Sequence, residues 1–125
     1  EADILVTASR AKTPVVAGEA IRPGPFIAAV GSSLPTTREL DDTALSRAAL
    51  IAVEWRHQSL AEAGDLVLAA PGIVAPEKVV ELGELVAGTV PGRRSDDEIT
   101  LYKSVGVGLE DIAIAGLAYS RISGS

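Results

Sequence analysis

The sequence predicts an α/β domain built on a parallel β-sheet, and three observations indicate this class. Hydrophobic residues make up 47% of the 125-residue chain, whereas aromatic residues make up only 3%. Short runs of Ala, Val, Leu and Ile alternate along the chain with segments that favour helices. Runs that are apolar on both faces are typical of the buried strands of a parallel sheet. We therefore predict one α/β domain whose strands are joined by right-handed crossovers.

Four strands are expected from aliphatic or β-branched runs that end at Gly, Pro or polar residues. They are Asp3–Ala8, Phe26–Val30, Leu50–Val53 and Ile99–Tyr102. Polar loops follow the first two, and the second loop begins with Gly31. The strand pattern therefore predicts an open sheet with polar loops at one edge.

Four helices are predicted between and after these strands, over residues 42–48, 59–63, 76–86 and 104–122. Asp41 or Asp42 can cap the first helix with its carboxylate. The third is predicted from Pro76 to Val86, because apolar and acidic residues alternate there at helical spacing. The last is predicted from Ser104 to about Ile122, and backbone N–H groups at its start could meet a ligand.

Composition excludes several classes of function. The chain has no cysteine and one histidine, so we expect no disulfide, thiolate-bound metal or multi-histidine metal site. Its formal net charge of -6 argues against binding to nucleic acid. Charge, Gly or Pro interrupts every apolar run, so no membrane span or leader is expected. We expect a cytoplasmic protein that binds a small molecule.

Parallel α/β sheets bind ligands at the carboxyl ends of their strands. The candidate loops are therefore Ser9–Lys12, Gly31–Pro35 and Lys103–Gly106. Hydroxyl side chains cluster at these strand ends, namely at Thr7, Ser9, Ser32, Ser33 and Ser104. No histidine or lysine stands at a spacing that would make one of them a nucleophile. These hydroxyls either hydrogen-bond a ligand or satisfy their own loops.

Three other features are interpreted as structural. Gly106 and Gly108 are reminiscent of a dinucleotide-binding fingerprint, but Asp111 occupies the position of the third glycine. His57 is expected at the surface or in a capping role. The acidic run Asp96–Glu98 is expected to be solvated rather than to bind a cation.

A resemblance to a known family adds to this interpretation. The residues that carry it are Asp3–Ser9, Ala28–Ser33, Arg38–Asp42, Ala61–Asp65, Glu81–Leu85 with Gly88, Lys103–Gly106 and Leu109–Asp111. In this order and spacing they resemble the ornithine cyclodeaminase and mu-crystallin family. The resemblance implies a Rossmann domain that binds NAD or NADP, dimers formed through a separate substrate domain, and chemistry on the imine of an amino acid.

The resemblance also assigns expected roles to single residues. Thr7, Ala8 and Ser9 would lie along the ribose and nicotinamide of the cofactor. Val30 and Gly31 would lie under the nicotinamide ring, and Ser104 and Val105 would meet its carboxamide.

The position of Ser33 bears on the reaction. In the cyclodeaminase an aspartate stands at this position, so Ser33 is the candidate catalytic residue. An ionised carboxylate there can serve as a base and stabilise an iminium, whereas serine offers only a hydrogen bond.

We accordingly expect residues 1–125 to be the carboxyl-terminal part of an NAD(P)-binding domain, without the substrate domain and the glycine-rich loop. The expected parent is a homo-oligomeric enzyme acting on an amino acid or its cyclic imine, with ketimine reduction favoured over deamination of ornithine. Two alternatives remain open: a non-catalytic, crystallin-like binding protein and an unrelated half-Rossmann domain.

Overall fold

A five-stranded sheet lies at the centre of the structure, a computed structural model that describes residues 2–124. The strands are β1 Ile4–Thr7, β2 Phe26–Ala29, β3 Ala48–Val53, β4 Val79–Glu81 and β5 Ile99–Lys103. Their order is β1-β2-β5-β3-β4, and every neighbouring pair is parallel. The predicted α/β class with a parallel sheet is confirmed.

Five α-helices and two short 3-10 turns connect or follow the strands. The helices are α1 Asp42–Arg47, α2 Arg56–Glu62, α3 Gly64–Val67, α4 Leu82–Val86 and α5 Gly108–Ser123, and the 3-10 turns are Gly18–Ala20 and Pro76–Lys78. The Asp41 side chain accepts a hydrogen bond from Ala44 N at 2.7 Å, which confirms it as the cap of α1.

The helix predicted from Pro76 to Val86 is wrong over its first half. Residues 79–81 form β4, which pairs with β3 through Ile51 opposite Val79 and Ala52 opposite Val80. Both valines are β-branched and buried, and such residues fit a pleated surface better than a helix. The helix begins only at Leu82, where the side chains of Glu81 and Glu84 form a capping box.

The predicted start of the last helix is also wrong. Ser104 N donates to Ala29 O at 3.0 Å, so the chain continues as extended backbone beyond β5. Gly106 then adopts a φ of 78°, in the left-handed region that glycine tolerates best, and α5 begins at Gly108. Ser104 therefore offers no helix N-terminus to a ligand.

The hydrophobic core lies on one face of the sheet. Ile27, Leu101, Ile51 and Val79 are adjacent in register and buried. Side chains of α1, α3 and the segment before α1 cover them.

The opposite face is largely open. Ile4 and Val6 of β1 are 63% and 60% exposed. Every described residue of α5 is exposed as well, including its large apolar side chains, Leu109, Ile112, Ile114, Leu117, Tyr119 and Ile122. Within residues 2–124, no helix is long and apolar enough to cross a membrane.

Candidate functional site

The loops that follow β1 and β2 meet at the carboxyl edge of the sheet, and β5 ends beside them. Val30 N and Gly31 N both donate to Thr7 O, at 2.9 and 3.0 Å. The bond from Ser104 N to Ala29 O links the segment after β5 to the end of β2. Backbone hydrogen bonds therefore join the strand ends at which the sequence predicts a ligand site.

A cavity of about 290 Å³ opens between the loops after β1 and β2. Its lining contains five predicted site residues, Ala8, Ser9, Val30, Gly31 and Ser33, together with Arg10, Ser32, Leu34 and Thr37. The lining is rich in hydroxyl groups and includes no carboxylate. Its one charged side chain is the exposed Arg10.

Two buried hydroxyl groups lie at this edge without a hydrogen-bond partner among the described residues. They are Thr7 Oγ1 and Ser32 Oγ. Ser32 also has a φ of 50°, which is uncommon for a residue with a side chain. Buried polar atoms usually have a hydrogen-bond partner, so these two oxygens are candidates for hydrogen bonds to a ligand.

Ser104 and Val105 are not in this cavity. The Ser104 hydroxyl donates to the Glu54 carboxylate, which also accepts from Tyr102 Oη at 3.0 Å and from Gly106 N at 3.3 Å. Val105 packs against the hydrophobic core. The structure therefore divides the predicted cofactor-binding residues between the cavity and a second group around Glu54.

Glu54 follows β3 and lines a separate cavity of about 450 Å³. Burial by itself would raise the pKa of this carboxyl, but the hydrogen bonds from Ser104, Tyr102 and Gly106 outweigh it and lower the pKa below its ordinary value of 4.5. Glu54 is therefore a hydrogen-bonded carboxylate that orients the Ser104 hydroxyl.

Three charged residues below the loops were not singled out from the sequence. Lys103, Asp65 and Glu39 are all fully buried. Lys103 Nζ lies 3.1 Å from Asp65 Oδ2 and donates to Gly31 O. Asp65 Oδ1 accepts from Glu39 N at 2.7 Å, and Glu39 Oε1 accepts from Ser9 N. This buried network therefore links the loops after β1 and β2 to the end of β5.

A sequence signal for one of these residues exists. Strand residues alternate between faces, so Lys103 falls on the same face as Ile99 and Leu101, which belong to the core. A lysine at such a position needs an acidic partner nearby. The acidic partners themselves lie in irregular or short segments, where alternation gives no guidance.

The residues interpreted as structural lie away from the cavity. His57 is exposed on α2, with its ring centroid 5.8 Å from that of Trp55. Glu98 accepts from Arg94 N at 2.7 Å within its own loop. Among residues 2–124, no three His, Cys, Asp or Glu side chains are grouped so that they could hold a metal ion.

A parallel sheet with helices packed against one face, and with polar loops meeting at its carboxyl edge, defines a Rossmann-like α/β domain. Comparison with known proteins identifies the group more closely. The chain belongs to the ornithine cyclodeaminase/mu-crystallin family, whose pattern matches residues 1–125.

Individual relatives and solved structures are also similar to this chain. The chain is 41% identical over 123 residues to a Delta(1)-pyrroline-2-carboxylate reductase of Bacillus cereus, covering 97% of this chain and 38% of the relative. The structure of a probable ornithine cyclodeaminase from Bordetella pertussis Tohama I matches with a TM-score of 0.93 and 59% identity, covering 99% of this chain and 40% of that one.

A third match carries bound molecules. It is the Delta(1)-pyrroline-2-carboxylate reductase of Thermococcus litoralis in complex with NADH and L-proline, with a TM-score of 0.90 and 38% identity, covering 99% of this chain and 39% of that one. The chain therefore spans about two fifths of the length of the relatives it matches.

Proposed function

We propose that residues 1–125 form the nicotinamide side of an NAD(P)-binding domain in a longer, homo-oligomeric enzyme. The substrate domain and the glycine-rich loop would lie outside this chain. Two observations support the proposal: the membership of the family and the share of its relatives that the chain spans.

The geometry of the carboxyl edge fits a nicotinamide cofactor. The loops after β1 and β2 enclose a cavity lined by hydroxyl and backbone groups, and Thr7 Oγ1 is buried beside it without a partner. When bound, such a cofactor would supply or accept a hydride. In this proposal Thr7, Ala8 and Ser9 contact its ribose and nicotinamide, and Val30 and Gly31 support the ring.

Ser104 would meet the carboxamide in a defined orientation. Its hydroxyl proton is directed to the Glu54 carboxylate, so its lone pairs are left to accept a hydrogen bond from the carboxamide nitrogen. Val105 would hold the same loop in place through the core.

The proposed reaction is the reduction of a cyclic ketimine derived from an amino acid. The observation that carries it is the lining of the cavity, which contains Ser33 and no carboxylate. Deamination of ornithine needs a base that can take a proton from the substrate, and a hydroxyl does not supply one. Reduction of a preformed imine needs positioning for hydride delivery to the carbon and a proton on the nitrogen, and the imine brings that proton when it binds in its protonated form.

The experiment compares two assays on the full-length protein. We expect NAD(P)H oxidation with pyrroline-2-carboxylate, and little ammonia or proline from ornithine. In Ser33→Asp we expect imine reduction to fall, with Ser33→Ala as the variant that removes only the hydroxyl. Efficient deamination of ornithine without imine reduction would overturn the proposed reaction.

A second test concerns the 125-residue chain alone. We expect it to bind NADH and NADPH weakly and to turn over no substrate, because the glycine-rich loop that anchors the pyrophosphate is not among its residues. Calorimetric titration measures this directly. Submicromolar binding by this chain would contradict the proposed division of the cofactor site.

A non-catalytic, crystallin-like role is the competing function. It predicts cofactor binding by the full-length protein without turnover of pyrroline-2-carboxylate or ornithine. The same pair of assays therefore separates it from the proposed enzyme.

A further inference from the structure

The buried network beneath the cavity contains more negative than positive groups. Lys103, Asp65 and Glu39 are all fully buried, and their formal charges sum to one negative charge. Lys103 Nζ pairs with Asp65, 3.1 Å away, and no ion pair joins it to Glu39. Among the described residues, the Glu39 carboxylate therefore has no cationic partner.

The Glu39 carboxylate lies directly beneath the backbone of the cavity. Its Oε1 accepts from Ser9 N, while its Oε2 is buried without a hydrogen-bond partner among residues 2–124. A Cβ atom at Gly31 would overlap this carboxylate, so the backbone of residue 31 and the carboxyl group are in close contact. Only glycine at position 31 allows this approach.

Among residues 2–124, no nearby cation forms an ion pair with this carboxylate. Lys103, which donates to Gly31 O, pairs with Asp65 instead. The neighbouring Arg38 pairs with Asp42 and donates to Leu40 O at 2.9 Å. Arg10 lines the cavity but is exposed, so solvent screens its charge. A buried charge is screened much less, and its field reaches the cavity through a few ångströms of protein.

We propose that Glu39 is the negative charge beneath the nicotinamide that stabilises the oxidised, cationic form of the cofactor relative to the reduced form. This inference rests on the proposed function, because Val30 and Gly31 are the residues expected under the ring. The ring gains a positive charge when it gives up hydride, so a fixed negative charge below it favours that change. Glu39 does not touch the ring and acts through its field.

The variant Glu39→Gln tests this inference in the full-length protein. Glutamine retains the shape and can still accept from Ser9 N, but it carries no charge. We expect the dissociation constant of the oxidised cofactor to rise about tenfold, and that of the reduced cofactor to change less than about twofold. Both constants are measured by calorimetry or by quenching of protein fluorescence.

Two further variants control for charge and packing. Glu98→Gln removes the same charge at the amino end of β5, on the opposite edge of the sheet, and should leave the ratio of the two constants unchanged. Asp65→Asn removes one negative charge from the network itself and should shift the ratio in the same direction as Glu39→Gln. Asp65→Asn also deprives Lys103 of its counter-charge and is the less stable of the two variants, whereas Glu39→Gln removes an unpaired buried charge and should fold.

The outcomes separate this inference from the proposed function. If the wild-type protein binds neither form of the cofactor, the proposed function fails. Another outcome is that wild type binds both forms while Glu39→Gln and Asp65→Asn weaken the binding of the oxidised and the reduced cofactor equally. In that case the network is only structural and the inference is overturned. A selective loss of the oxidised form supports it.

Discussion

The two faces of the sheet differ in how far their side chains are buried. On the covered face, Ile27, Ile51 and Leu101 are almost completely inaccessible, and the Lys103–Asp65 ion pair is sealed beneath the loops. On the open face, Ile4 and Val6 remain more than half exposed, and the polar group around Glu54 is only partly buried. The same strands thus contribute a core to one side and an unpaired apolar surface to the other.

The difference shows where the stability of this chain resides. Burial of apolar side chains and closure of the charged network are confined to one face, so substitutions there should be far more damaging than equivalent substitutions opposite.

The largest effect is expected from breaking the buried ion pair. Asp65→Ala leaves Lys103 buried without a counter-charge and should lower the free energy of unfolding by about 3–5 kcal/mol. Asp3→Ala breaks the exposed pair with Arg22 and should cost less than about 1 kcal/mol. Urea denaturation of the 125-residue chain measures both. Equal losses would contradict the assigned burial.

The next largest difference in stability is expected between isoleucines on the two faces of the sheet. Ile51→Ala should lower the free energy of unfolding by about 2–5 kcal/mol, because it leaves a cavity in the core. Ile4→Ala removes the same atoms from the open face and should change it by about 0.5 kcal/mol or less. Thermal denaturation with both variants compares the two faces directly. A large loss in Ile4→Ala would mean that the open face is covered in solution.

Self-association of the 125-residue chain tests that point independently. An unpaired edge at β1 and the exposed apolar side of α5 favour contacts between copies. Light scattering should therefore show species larger than a monomer, and Val6→Lys should shift the distribution toward monomer. Ser46→Lys, at an exposed polar position on α1, is the matched control. A monomeric wild type at high concentration would refute this prediction.

The smallest expected effect is the pH dependence of the contribution that Glu54 makes to the free energy of unfolding. Its pKa is lower in the folded protein than the ordinary value of 4.5, so its stabilising contribution is complete above pH 4.5 and is lost as the pH falls through the folded value. Because Glu54 is partly exposed, we expect this contribution to the free energy of unfolding to be less than about 1 kcal/mol. The advantage of wild type over Glu54→Gln should shrink on acidification, as measured by urea denaturation at several pH values.

Much of the fold could be predicted because most of its strands consist of short runs of aliphatic residues. Four of the five strands match their predicted positions to within two residues at either end. The sequence pattern predicts a helix over β4, because three residues are too few to distinguish strand alternation from helical spacing. Its assignment depends on pairing with β3, which is a long-range contact.

The site was predictable in outline and not in its electrostatics. The rule that ligands bind at the carboxyl ends of parallel strands indicated three loops. The structure brings the loops after β1 and β2 together around one cavity and places Ser104 in a separate group around Glu54, and the ligand site itself stays a prediction. Charged residues are expected at the surface, so nothing local marked Glu39 or Asp65 as buried. The roles of Thr7, Ser33 and Ser104 came from resemblance to the family and stay predictions.

The strand order has a consequence for how this chain folds. β5 comes after the other four strands along the chain, yet it lies in the middle of the sheet, between β2 and β3. Before residues 99–103 are in place, β1–β2 and β3–β4 can form only separate strand pairs, and each pair leaves unpaired the edge to which β5 binds. These five strands therefore join into one sheet only through contacts that are distant in sequence. Such long-range closure slows folding and leaves strand edges open to aggregation until β5 inserts.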